Sequence, residues 1–580
     1  MHVEGSGRMH LVLFETSGNQ RYIFDTNKLK VNLGASELTA QAGSTWVLEA
    51  VTKLTGISAP TPTGVADHLC DRTRNPPIEQ GGVAEVVVAA SGKALVLVAD
   101  RDRAEQLVWK VTSRALQQAP GLDICGVISE PFDWNLTSIH KVSMQLHRDL
   151  GPVRVNRGGP QLRFPGVPIG ARCTTSGLPA AVLDRSAPDP VPQPRSAAVS
   201  AALAAADAGR QRMQQLLGDG VAPTIDELEA AQEHLDWLGV IHADGNGLGS
   251  VFVNFDTLLE KAGLLNGATN TAERNRAYVN SLRSFSLALN DLVVQALNDA
   301  LATQVGGADR SLVPVVLGGD DVTVLCDGRR ALDLAVTYLQ AFERQSADPD
   351  LRDGIIPRIA QAAFGHPRLG ACAGVAIVKP HYPFSAAYDL AEELTASAKQ
   401  VKLHARPGDG SHRVTPCSAV DFHVLYDVAA TDLKTLRERM STDTGTTRLY
   451  TRPYVVTPPE HRPSNAWFEG RGWEHLEAKV RVLTEKDGEG RPVLPRSQIH
   501  DLRSGLFVGK DEAEFRFLLL KTRYQSAKHL ADGPDDALFT DEPAAPAPLA
   551  RTSLLDAMEA AEFTGLGSRS ATTEPAGEDR

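Results

Sequence analysis

Two adjacent carboxylates, Asp320 and Asp321, follow two glycines, Gly318 and Gly319, between runs rich in Val and Leu over residues 312–325. The pattern predicts a β-hairpin with Gly-Gly-Asp-Asp at its tip, since glycine supplies the φ freedom a tight turn needs. Carboxylates about 4 Å apart at an effective dielectric of about 20 repel by about 4 kcal/mol. A hard divalent cation with oxygen ligands relieves that repulsion, and Mg²⁺ is the ion best suited to carboxylates beside nucleotide phosphates. An acidic turn facing water is the competing reading of the pair taken alone.

A second acidic position supports the metal reading. Residues 237–243 predict a strand that ends in Asp244-Gly245-Asn246-Gly247-Leu248-Gly249. An aspartate at that strand end, beside the hairpin tip, would gather three carboxylates where two phosphate-bridging cations could sit. That is the arrangement needed for in-line attack on an α-phosphate. The glycines at 245, 247 and 249 let backbone approach phosphate, although a glycine-rich loop alone is a weak signal and a plain turn is the alternative. No G-x-S-x-G or Cys/His constellation offers a protein nucleophile.

These residues need elements to position them, and the order of elements occurs twice. In the first half, a strand over 10–14 leads through Glu15-Thr-Ser-Gly-Asn-Gln20 into a helical region with Tyr22, Ile23, Leu29 and Leu33 at helical spacing. A Pro- and Gly-rich loop over 60–82 precedes a hairpin of residues 83–90 and 94–99, a helix over 103–117 and a strand over 122–128. In the second half, the strand ending at Asp244 is followed by a helical region clearest at 273–304. The acidic hairpin, a helix over 330–345 and a strand over 371–378 complete the unit. Laid on one another without a gap, the hairpins put Lys93 and Ala94 where Asp320 and Asp321 stand, and Glu15 falls roughly opposite Asp244. The chain reads as a duplicated α/β unit with acidic chemistry in the second copy only. Between the copies, the proline-rich run 184–195 predicts an exposed linker and 197–217 a helix, with the boundary near 185.

The totals bound the function. A chain of 580 residues, 42% hydrophobic and 22% charged, exceeds one compact core and predicts several soluble domains. Its net charge of −12 argues against strong free-standing nucleic-acid binding, though not against a partner that brings its own nucleic acid. Six cysteines without a C-x-x-C pair indicate neither a disulfide framework nor a zinc knuckle. No run of 18 apolar residues or signal-peptide layout is present, so a cytoplasmic location and no membrane association are expected.

Together, Asp244-Gly-Asn-Gly-Leu-Gly, Gly318-Gly-Asp-Asp321, Ala373-Gly-Val-Ala-Ile-Val-Lys-Pro-His-Tyr-Pro-Phe384 and Ala391-Glu-Glu-Leu-Thr-Ala-Ser-Ala-Lys399 resemble the large subunit of type III CRISPR effector complexes, the Cas-ten/Cmr-two family. Glu15 to Phe24 is similar to that family's first unit. The resemblance covers about residues 10–425 and is strongest over 237–425. It implies an α/β (α+β) fold with two ferredoxin-like palms of the kind shared with GGDEF cyclases, plus a mostly helical C-terminal domain. The implied domains are a degenerate first palm (1–150), a linker and helical region (151–235), a second palm with the Gly-Gly-Asp-Asp motif (236–425), a mainly helical domain (426–527) and a mostly disordered tail (528–580).

The resemblance also implies an activity, in which ATP molecules are joined into cyclic oligoadenylate with Mg²⁺ or Mn²⁺ for antiviral defence. Asp244, Asp320 and Asp321 would be catalytic and hold metal. Gly245, Asn246, Gly318, Gly319 and Lys399 would shape or contact the nucleotide, with Lys399 meeting its triphosphate. Partners would be other effector subunits and guide RNA. The family's HD nuclease is expected to be missing, because the lone pair His500-Asp501 reads as structural. The family's cysteine cluster between palms is reduced to Cys173, so no zinc is expected there. The alternatives are a non-catalytic nucleotide-binding scaffold or sensor, a GGDEF-like cyclic dinucleotide synthase, disfavoured by Val322 where Phe is usual, and an RNA-templated polymerase.

In the C-terminal part, Lys, Arg and the aromatics Tyr450, Tyr454, Trp467, Phe468 and Trp473 read as an aromatic core with solvated charges, with a nucleic-acid or partner contact as the alternative. The composition beyond 528 predicts disorder apart from a helix over 552–563.

Overall fold

A computed structural model describes all residues except 1–7, 58–63, 186–190, 219–220, 222–227, 229–234, 304–311, 407–413, 427–431, 544–546 and 565–580. The first half builds a sheet from β1 (Arg8–Ser17), β2 (Ala84–Ala90), β3 (Lys93–Val98) and β4 (Asp123–Ile128) in the antiparallel order β2-β3-β1-β4. The second half repeats it with β5 (Leu238–Asn246), β6 (Leu312–Gly318), β7 (Asp321–Asp327) and β8 (Gly370–Val378). Its order is β8-β5-β7-β6, extended past β8 by β9 (Ala419–Val424) in parallel and by Tyr454–Val455. Both sheets have the strand order of the ferredoxin-like palm. The sequence reading of a duplicated α/β unit therefore corresponds to the observed topology.

The central strands are apolar throughout because both of their faces are covered. Leu11, Val12, Leu13 and Phe14 of β1 are wholly buried, with Leu11 and Leu13 facing one core and Val12 and Phe14 another. The longest helices among the described residues are α1 (Leu29–Gly43), α2 (Arg101–Gln118), α3 (Ile139–Asn156), α4 (Ala197–Leu217), α5 (Thr271–Thr303), α6 (Gly328–Ser346) and α7 (Phe384–Ala398). The two palms exchange helix contacts almost symmetrically, with α1 of the first against β6 of the second and α5 of the second against β2 of the first. Glu85, inside β2, is anchored at 2.6 Å by both Arg276 and Arg283 of α5. Burial alone would raise its pKa, but the two guanidinium groups hold it below the usual carboxylate value.

Several expectations about the connections change. The loop 60–82 contains a helix, Val65–Cys70, and Asn75 pairs its side-chain amide with both backbone groups of Val86 at 2.8 and 2.9 Å. On either side of residues 186–190, Val182–Asp184 and Gln193–Arg195 pair as short strands rather than forming open linker. The region after 425 contains α8 (Trp473–Thr484), α9 (Arg496–Val508) and α10 (Lys510–Arg523). It also holds a small sheet of four two-residue strands.

The tail from 528 departs most from expectation, apart from the helix read over 552–563, which is observed at Leu554–Ala560. Among its described residues Leu530, Leu538, Phe539, Leu554, Leu555, Ala557, Ala560 and Phe563 are buried, the last five around α11 (Leu554–Ala560). Asp556 and Glu559 of α11 neutralise Arg452, which no solvent reaches. Average composition concealed these few apolar and acidic anchors, and anchors suffice to dock a segment against an existing core. The remainder of the expected disorder, 565–580, lies outside the described residues.

Candidate metal centre at the second palm

The β5 strand carries Asp244 close to its end, and Gly247 at φ 84° turns the chain into the next helix. In the ladder Val322 faces Ala243, so Asp321 comes beside Asp244 in register. Gly318 pairs with Asp321, leaving Gly319-Asp320 as a two-residue turn. Gly319 has φ 68°, the conformation that a tight hairpin asks of its first central residue. Oxygen atoms from Asp244, Asp320 and Asp321 all lie within 4.8 Å of one another. Among the described residues this is the one group of His, Cys, Asp or Glu with metal-ligating spacing.

The electrostatics follow from three acids sharing one place. Burial is the first cause that raises the Asp320 carboxyl. Asp321 sits at the open rim, yet the surrounding protein strips much of its hydration and pushes it to about 7, with Asp320 and Glu392 adding like-charge repulsion. Three carboxylates and no thiolate or imidazole form a hard oxygen donor set, which fits Mg²⁺ or Mn²⁺. The counter-charge present is Lys399, at the end of α7, whose ammonium contacts the Asp244 carboxylate. Desolvation, then Lys402, lowers Lys399 to about 8. The expected triphosphate lysine is thus placed on a metal-candidate carboxylate.

The remaining candidates have distinct placements. A Cβ at Gly245 would come within 2.4 Å of Leu248 Cδ1 and 3.1 Å of Asp320 Oδ2, so glycine there makes room for the aspartate. A Cβ at Gly318 would stand 3.2 Å from Ser91, so the two hairpin tips meet at the palm boundary. Asn246 is 8% exposed and donates its Nδ2 to the Cys417 carbonyl at 3.2 Å, while its Oδ1 has no partner among the described residues. His500 lines a cavity far along the chain in the C-terminal region, and Asp501 accepts from Arg516 at 2.8 Å. Cys173 is a free thiol that burial would raise, but the Ser176 hydroxyl and the backbone N–H groups of Ser176, Ser196 and Thr175 bring it down to about 7.

Three nearby residues escaped the sequence reading. Gln20, from the first palm, comes close enough to Tyr388 and Glu392 of α7 to offset part of the rise that burial gives both groups. Glu392 belongs to the quoted Ala391-Glu-Glu-Leu run but carried no role, because nothing local places a helix face against a distant hairpin. Tyr338 of α6 is buried, with no partner for its hydroxyl among the described residues, and Asp320 and Asp321 add to the burial that raises its pKa. No local signal marks it apart from its place on the apolar face.

The duplication can now be aligned by register. Glu15 pairs with Lys93 in the first sheet as Asp244 stands beside Asp321 in the second, and Gly18, at φ 62°, opens a helix as Gly247 does. Glu15 is therefore the counterpart of Asp244. The gapless hairpin alignment is off by one, because the turn in the first palm is Ser91-Gly92 and Ala90 pairs with Lys93. Lys93 corresponds to Asp321, and Gly92 to Asp320. Turn position decides this alignment, and residue type alone did not reveal it.

Residues 237–405 match the family model described as Cas10/Cmr2, second palm domain. Among solved structures, Csm1 of T. onnurineus is similar at 14% identity with a TM-score of 0.45, covering 90% of this chain and 64% of that one. A chain of a Csm1–Csm4 cassette in complex with AMPPNP is similar at 14% identity with a TM-score of 0.38, covering 70% of this chain. The present chain spans 56% of that cassette chain. A search of curated proteins finds no match. Among the described residues no helix is long and apolar enough to cross a membrane. Over residues 237–405 the chain is therefore similar to the second palm domain of Cas10/Cmr2.

Proposed function

We propose that the second palm is a metal-dependent nucleotidyl cyclase that makes cyclic oligoadenylate from ATP, in a type III CRISPR-like defence assembly with partner subunits and guide RNA. The observation that carries this reading is the convergence of the Asp244, Asp320 and Asp321 carboxyl oxygens within 4.8 Å at the ends of neighbouring strands. The 3′-hydroxyl of one nucleotide attacks the α-phosphorus of another, and pyrophosphate leaves. A pair of divalent ions held by the three carboxylates would lower the charge cost at the attacking and leaving oxygens. The protein's own contribution is placement. Gly245 leaves space for Asp320, Gly319 makes the turn that presents it, and Lys399 holds Asp244.

The test is labelled ATP or GTP incubated with the purified protein and Mn²⁺, alone and with RNA, beside the Asp320→Ala/Asp321→Ala variant. Metal-dependent pyrophosphate release and an oligoadenylate product, both lost in the variant, are the expected result. ATP binding without pyrophosphate release under every condition would replace the cyclase with the scaffold or sensor reading.

A further inference from the structure

We propose that the cleft between α7 and the C-terminal region is a second ligand site, separate from the acid cluster, that takes a phosphate-bearing nucleotide. Its cavity of about 620 Å³ is of a size that encloses small-molecule ligands. One wall is the outer face of α7 and the residue pair after it, including Ser397 and Gln400. The other carries Arg437, Arg448, Tyr450 and Trp467. The combination of guanidinium groups with aromatic faces suits a ligand that has both phosphate and a planar ring.

The charges of the cleft divide into committed and available groups. Arg452 is neutralised by Asp556 and Glu559, and Arg471 by Glu542 at 2.7 Å. Arg437 is fixed by Asp421, a wholly buried carboxylate that also accepts from Ser397 Oγ at 2.6 Å. On the α7 wall Glu393 accepts from the Leu433 N–H at 2.7 Å. Lys434, at the rim, is only loosely paired with Glu438, at 4.0 Å. The side chain of Arg448 has no ion pair among the described residues, and its guanidinium lies 5.9 Å from the centroid of the Tyr450 ring. Arg437 stands 4.3 Å from the same centroid.

With Arg437 4.3 Å and uncommitted Arg448 5.9 Å from the Tyr450 centroid, phosphate on Arg448 would lie beside an aromatic ring. Trp467 is already occupied by the His404 imidazole, at 4.4 Å and 3°, and by the Arg471 guanidinium, 4.7 Å from its centroid, so the planar ring of the ligand is assigned to Tyr450. This site differs from the acid cluster in holding an uncommitted cation, Arg448, and, among the described residues, no carboxylate group with metal-ligating spacing. Its failure would leave the cyclase reading untouched.

The experiment is calorimetric titration of the full chain in EDTA, where the acid cluster lacks divalent ions, with ATP, inorganic pyrophosphate and adenosine as probes. ATP is expected to bind in the micromolar range. Arg448→Glu should weaken it at least tenfold, and Arg448→Lys, which keeps the charge, only a few-fold. Asp320→Asn/Asp321→Asn should leave the affinity unchanged, and thermal unfolding of each variant confirms its fold. Pyrophosphate should bind more weakly than ATP and lose affinity with Arg448→Glu but not with Tyr450→Leu. An ATP affinity weaker than about 1 mM, an affinity insensitive to Arg448→Glu, or one lost in the aspartate variant overturns the proposal.

Discussion

The two palms share a frame and differ in how they treat the same corner of it. In the first, Glu15 is flanked by Lys93 at 3.3 Å and Arg154 at 3.2 Å, so its charge is met by the protein. In the second, Asp244 has Lys399, while among the described residues no cation pairs with Asp320 or Asp321, and both are raised in pKa. The space is exchanged as well. Thr16 points its hydroxyl at the Gly92 carbonyl, 3.1 Å away, and a Cβ on Gly92 would come within 2.3 Å of that hydroxyl. At the corresponding pair the glycine is on the strand, Gly245, and the side chain is on the turn, Asp320. One sheet thus closes its corner with a threonine and two cations, and the other opens it to three acids. Uncompensated acids cost stability, and a fold keeps them where a cation is meant to bind.

The largest effect should come from removing the acids. Asp320→Ala/Asp321→Ala is expected to reduce metal-dependent pyrophosphate release by about a thousandfold or more. The matching change in the first palm, Glu15→Ala, should alter it little, and equal losses would erase the distinction between the copies.

The next prediction transplants the difference. Thr16→Gly/Gly92→Asp/Lys93→Asp should give the first palm its own acid cluster and a second divalent-ion site, read as increased Mn²⁺ stoichiometry by calorimetry. Unchanged stoichiometry would mean that register alone does not make the site.

Gly245→Ala should be intermediate. Its Cβ meets Leu248 and Asp320, so thermal unfolding should show about 1–3 kcal/mol of destabilisation, together with weaker Mn²⁺ binding. A neutral result would mean that Asp320 has room to move aside.

A pH series reads the acids of the second palm. The folded-state value of Asp321, about 7, lies above that of an unfolded aspartate. Between that unfolded value and about 7 the folded protein holds a proton the unfolded chain has lost. Metal-free stability must therefore fall as pH rises through this window. Asp321→Asn should flatten the fall in melting temperature between pH 5 and pH 7.5.

The smallest effect is expected from Lys93→Ala, whose partly exposed ion pair should be worth about 0–1 kcal/mol. A large loss there would show that the first palm depends on cancelling the charge of Glu15.

Much of this was legible in the chain because the signals are local. The hairpin tip declares itself through Gly318-Gly319 between runs rich in Val and Leu, and the strand carrying Asp244 through an apolar stretch interrupted by His242. What escaped notice depends on distant contacts. Gln20 reaches α7 only because the palms face each other, and Tyr338 lies beneath the acids only through the packing of α6. The exact counterpart of Asp321 turned on which two residues form the turn, which spacing without pairing cannot decide. The docking of the tail was hidden for a similar reason, since Asp556 matters only once Arg452 has been buried beside it.

Anomalous diffraction from crystals of the full chain soaked in Mn²⁺ tests the central claim most directly. The account predicts a Mn²⁺ peak within coordination distance of carboxylate oxygens from Asp244, Asp320 and Asp321, and none at Glu15. Mn²⁺ bound elsewhere in the crystal, with this corner vacant and Lys399 still on Asp244, would contradict it.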